Sequence, residues 1–129
     1  VILMAFASIL LVGCSAPEES GKGIELPTDY ANLSSPVAGS ADAALAGKDI
    51  YAENCAVCHG ADGRGDGVSA TGLDPKPAKL MNAGEAGDAY LFWRVAEGGD
   101  AQQSAMPAFK SVLSEDQIWQ VIEYLKALE

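Results

Sequence analysis

The pentapeptide Cys55-Ala56-Val57-Cys58-His59 holds two of the chain's three cysteines and its only histidine. Whatever the chain folds into must present these three side chains together. Cys-x-x-Cys-His is the attachment sequence for a c-type haem. The two thiols, one helical turn apart, can each add to a different vinyl group, and the adjoining imidazole then falls beneath the iron as an axial ligand. A zinc site needs four ligands. No second histidine exists and Cys14 sits in an apolar run, so zinc would have to recruit carboxylates. A redox Cys-x-x-Cys pair would leave His59 without a role.

With one imidazole, bis-histidine ligation is excluded. The available thioethers are Met4, Met81 and Met106. Met4 belongs to the apolar leader, and Met81 follows His59 by only 22 residues and is expected to pack. Met106 lies 47 residues beyond His59, where Pro107 stiffens the loop and biases Met106 toward an extended backbone. Met106 is therefore the expected second iron ligand with His59, an arrangement that raises the reduction potential and suits electron transfer.

Residues 1–14, VILMAFASILLVGC, are uncharged and have the form of a secretory signal. As a helix, the 13 residues before Cys14 would span only about 20 Å, short of a roughly 30 Å hydrocarbon core. The ending Leu11-Val12-Gly13-Cys14 resembles a bacterial lipoprotein signal, which makes Cys14 a candidate lipidation site. An uncleaved anchor and a cleaved plain signal are the alternatives. All three place the folded part in the cell envelope, outside the cytoplasm. Residues 15–40 are rich in proline, glycine and small polar residues and read as a linker with a reach of roughly 28 Å. Ile24, Leu26, Tyr30 and Leu33 are the linker residues able to dock along a partner.

The domain proper is expected over residues 41–129. Its Ala-rich start predicts a helix from about Asp42 into the cysteines, capped by Ser40, with Ala44, Gly47, Ile50 and Tyr51 at helical spacing. Gly60 to Gly67 carries four glycines and lacks the GK[ST] of a phosphate loop, so it reads as a tight loop at the haem edge, with Arg64 solvated. Asp88 to Glu97 reads as a short helix stopped by Gly98-Gly99. In that helix Tyr90 and Trp93 either reach a haem propionate or simply pack. Ser114 and Gln117 form a capping box for a last helix buried through Ile118, Val121, Ile122 and Leu125, with Trp119 at its margin.

Together AGKDIYAENCAVCHGADGRGDG, PKPAKL, AMPAF and LSEDQIWQVIEYLKAL resemble the class I c-type cytochromes, especially bacterial monohaem members, over about 70% of the chain. The resemblance implies an all-α fold of three to five helices around one covalent haem c. It also implies that the first and last helices cross where Gly47 and Tyr51 meet Tyr124. A proline carbonyl, from Pro75 or Pro77, would accept the Nδ1–H of His59, and Leu80 would pack on the porphyrin. Monohaem lipoproteins of this kind are similar to the cytochrome subunit of alternative complex III and to tethered donors of terminal oxidases or photosynthetic reaction centres. That likeness points to redox-protein partners in a membrane complex.

The formal charge of −10 disfavours nucleic acid as a partner. It either favours a basic docking face or serves only solubility. No acid–base or nucleophile constellation is visible, because the one histidine is already committed. The expected function is electron transfer, not enzymatic turnover. The rivals are a haem enzyme or gas sensor with a displaceable sixth ligand, and a purely structural haem subunit.

Overall fold

The computed structural model describes residues 24–100 and 103–128. The leader, Met4 and Cys14 lie outside the described residues. Within them the chain is helical, without strands: α1 (Ala41–Asn54), α2 (Ala56–His59), α3 (Asp88–Glu97) and α4 (Glu115–Lys126), with 3₁₀ turns at Ala70–Gly72 and Ala83–Ala86. No helix among the described residues is long and apolar enough to cross a membrane.

α1 starts where the sequence says it should. The Ser40 hydroxyl accepts the Ala43 N–H at 3.2 Å, satisfying a first-turn donor that the helix itself leaves open. Its buried line is Ala43, Gly47 and Tyr51, so the apolar register begins one residue before the expected Ala44. At Gly47 the helix meets the backbone of α4: a Cβ there would lie 1.9 Å from the Gln120 carbonyl oxygen, so only glycine admits this approach. One turn on, Tyr51 and Tyr124 pack with ring centroids 5.2 Å apart. The buried Tyr51 hydroxyl donates to the Gly60 carbonyl at 2.7 Å, which ties α1 to the loop behind the cysteines.

α4 opens with both halves of its capping box: Gln117 N–H to Ser114 Oγ at 3.2 Å and Ser114 N–H to Gln117 Oε1 at 2.9 Å. Ile118, Val121, Ile122 and Leu125 are buried as the pattern requires. Trp119, expected at the margin, is instead only 2% exposed. Phe92 of α3 covers it, with centroids 4.4 Å apart, a contact between distant elements that helix periodicity does not report.

The larger departure concerns residues 27–40. This segment packs against the domain's own core through Tyr30, Leu33 and Val37. Its backbone is pinned twice, by Ser35 N–H to Asp88 Oδ2 at 2.7 Å and by Gly39 N–H to Glu123 Oε2 at 2.9 Å. Both carboxylates also bind Lys126. Three charges thus hold one another and two strap amides, although Glu123 is buried. Burial alone would raise the Asp88 and Glu123 pKa values, but the bonds from Lys126 and the strap outweigh it and hold both below the usual carboxylate range. Lys126 is raised in turn, its carboxylate partners outweighing burial.

Candidate functional site: a cavity between the cysteine turn and the methionine loop

α2 is a single turn, so nearly all its carbonyls need partners from outside the helix. The glycine-rich stretch supplies them. Gly65 N–H donates to the His59 carbonyl at 2.7 Å, Gly67 N–H to Cys58 at 3.1 Å and Ser69 N–H to Val57 at 2.9 Å. Gly67 lies so close that a Cβ would sit 2.4 Å from the Val57 oxygen. The glycines therefore brace the cysteine turn from behind. None of residues 60–67 is among the residues lining the cavity; their backbone is turned to the cysteine turn. Arg64 is exposed, as expected.

In front of this turn is a cavity of about 400 Å³, within the size range of cofactor sites. Cys55, Cys58 and His59 open onto it. Leu73, Pro75 and Pro77 line it from the next loop, Tyr90 and Arg94 from α3, and Met106 and Phe109 from the loop after α3. His59 and Met106 both line it, reaching it from opposite sides of α3 in sequence.

The His59 Nδ1 lies 3.0 Å from a backbone carbonyl, and that carbonyl belongs to Ala78. This corrects the assignment to Pro75 or Pro77. The Pro77 oxygen faces Gly65, where a Cβ would be 2.5 Å away, and the acceptor is the next carbonyl along the chain. Both prolines still line the cavity. With Nδ1–H engaged, Nε2 is the ring nitrogen left open to the cavity. Burial, followed by the neighbouring Cys58, pushes the Cys55 thiol up to about 11, unlike the acidified thiol of a redox Cys-x-x-Cys pair.

Leu80 and Trp93 do not line the cavity. Leu80 turns to the main core, and its N–H donates to Gly63 at 2.7 Å. Trp93 is buried against Tyr90, ring centroids 5.9 Å apart, with the Arg94 guanidinium 5.9 Å from its ring. Arg94 was missed by the sequence reading, although Tyr90 and Arg94 stand four residues apart and so share a helix face. Met81 was expected to pack and is instead 42% exposed.

The methionine loop is fastened to the end of α3. Gly98 has a φ of +75° and a Cβ there would lie 2.6 Å from the Met106 oxygen. Gly99 N–H donates to that same oxygen at 2.9 Å. Phe109 and Lys110 then donate to the Val95 and Ala96 carbonyls, each at 3.1 Å, capping the last turn of α3 in trans.

The residues fit a covalent haem: two thiols one turn apart, an oriented imidazole, a thioether and an apolar cavity. Among the described residues, no group of three or more His, Cys, Asp or Glu could hold a metal ion instead. These features define a class I c-type cytochrome domain. The family model described as cytochrome c oxidase, cbb3-type, subunit III matches residues 42–125, and the chain belongs to that family. It is similar to cytochrome c550 of Pseudomonas aeruginosa, 27% identical over 83 residues, covering 64% of this chain and 53% of the relative. A solved chain of the Kuenenia stuttgartiensis reducing HAO-like protein complex superposes with a TM-score of 0.59 at 33% identity, over 69% of this chain and 44% of that one. The chain thus spans about half the length of these relatives. The cofactor is one covalently bound haem c, held through Cys55 and Cys58.

Proposed function

We propose that the protein is an electron-transfer cytochrome whose haem iron is ligated by His59 and Met106. The observation that carries this reading is that the only histidine and Met106 share one cavity with both site cysteines. When bound, the haem supplies a one-electron couple between ferrous and ferric iron. The chain's own residues do the rest. Ala78 orients His59 and raises its basicity, the α3 terminus holds Met106, and Phe109 and Leu73 limit water at the cavity wall.

The apolar leader ending at Cys14 supports attachment to the outer face of a membrane, with the domain in the periplasm. The relatives are bacterial, and one is named as part of a complex. We read this chain as a subunit or tethered donor in a membrane redox assembly, where tethering raises the effective concentration of donor and acceptor. The family's printed description, an oxidase subunit, is compatible with such a place.

The test is a redox titration of the purified protein followed by absorbance. The expected result is a reversible one-electron couple and a low-spin ferric spectrum with thioether ligation. A high-spin spectrum would favour the enzyme or sensor, and an iron that no mediator reduces would favour a structural haem. Intact mass of protein extracted from membranes checks haem and acyl addition at Cys14.

A further inference from the structure

Three separate parts of the molecule meet on one carboxylate. Glu97 is the last residue of α3. The Tyr30 hydroxyl of the strap donates to its Oε1, and Lys110 Nζ donates to both oxygens, at 2.9 and 2.7 Å. Lys110 stands at the foot of the methionine loop, and its own N–H caps α3 at Ala96. From there the connection to the ligand is short, because Gly99, two residues past Glu97, holds the Met106 carbonyl.

We infer that Tyr30 is a positioning residue for the Met106 ligand, acting through the Glu97–Lys110 pair. The inference rests on the reading of Met106 as an iron ligand. Without Tyr30, Glu97 would be left with Lys110, whose side chain is 57% exposed, and such pairs hold little on their own. The Tyr30 ring packs on the core beside Phe92, so its hydroxyl is the part that reaches the Glu97–Lys110 pair. The bonding asymmetry agrees. Lys110 and then Tyr30 pull Glu97 below the usual carboxylate range, and the Glu97 bond, with some burial, pushes the Tyr30 phenol up to about 12. The Tyr30–Glu97 bond, rather than the seating of the strap as a whole, is therefore coupled to the position of the thioether, and coupling between two sites is reciprocal.

The experiment uses the full-length ferric holo-cytochrome and imidazole as the competing sixth ligand. Tyr30→Phe keeps the ring against Phe92, 6.2 Å between centroids, and removes only the hydroxyl. It is expected to bind imidazole about five- to tenfold tighter, the size of effect that losing one ordinary hydrogen bond supports. Lys110→Met should shift it the same way. Asp88→Asn loosens the strap at its far anchor and should lower the unfolding midpoint while changing imidazole affinity less than about twofold. Unchanged imidazole affinity in both Tyr30→Phe and Lys110→Met would overturn the inference, as would an equal gain in Asp88→Asn, which would mark general loosening. A wild type lacking the thioether signature would instead sink the ligand assignment itself, and the inference with it.

Discussion

The two walls of the haem cavity are built differently. On the cysteine side, every bond that shapes the turn is local: Cys58 and His59 N–H to Cys55, then Gly65, Gly67 and Ser69 back onto α2, with Ala78 the farthest partner of His59. On the methionine side, Gly99 holds the Met106 carbonyl and the end of α3 holds the rest of the loop, and there Glu97 also accepts from Tyr30, 67 positions earlier. Local closures cost little loop entropy and re-form readily, whereas distant ones depend on the whole fold. The cysteine wall is therefore expected to persist under stress, and the thioether to be the ligand lost first.

The largest effect should come from breaking the local wall itself. His59→Ala removes the one imidazole, and the expected outcome is a chain with no correctly ligated holoprotein, read by absorbance and intact mass. Met106→Ala attacks the other wall and should behave oppositely. Covalent haem is retained, the thioether signature is lost, and the potential falls by on the order of a tenth of the roughly 0.8 V range open to haem proteins. If both substitutions abolished haem attachment equally, the contrast between the walls would be wrong.

Two glycines sharpen the comparison. Gly67→Ala drives a methyl into the Val57 and Ala56 carbonyls, and Gly98→Ala drives one into Met106 at a left-handed φ. Each should cost about 1–3 kcal/mol by denaturant unfolding. Only Gly98→Ala should also raise imidazole affinity, because only it displaces the methionine loop.

The smallest effect concerns pH. Asp88 and Glu123 are held low, so their stabilisation is full above the ordinary carboxylate pKa and fades as pH falls through the depressed folded values. Lys126 is raised, so its share is full below its unfolded pKa and is lost as pH rises through the folded one. Thermal melts should show a plateau near neutrality, with an acid-side loss of on the order of 1 kcal/mol that Asp88→Asn diminishes.

Elements governed by near neighbours were legible. Ser40, Ser114 and Gln117 announced helix starts, Gly98-Gly99 announced a stop, and residues 55–59 announced the cofactor, because capping and attachment act over three to five residues. Trp119 and the acceptor for His59 were misplaced, since each depends on which element lies opposite and on where one carbonyl points. Residues 27–40 were misjudged most. Proline- and glycine-rich composition is shared by a free tether and a docked strap, and tertiary contacts tell them apart: the Asp88–Lys126–Glu123 group, Glu97, and the packing of Tyr30, Leu33 and Val37 on the core.

The sequence alone pointed to a covalent haem and to its one candidate imidazole, because the attachment spacing and the single histidine lie within five residues. Tertiary structure decided which backbone oxygen aims that imidazole and what steadies the loop carrying Met106. Those depend on contacts between residues far apart in the chain, which no local pattern encodes.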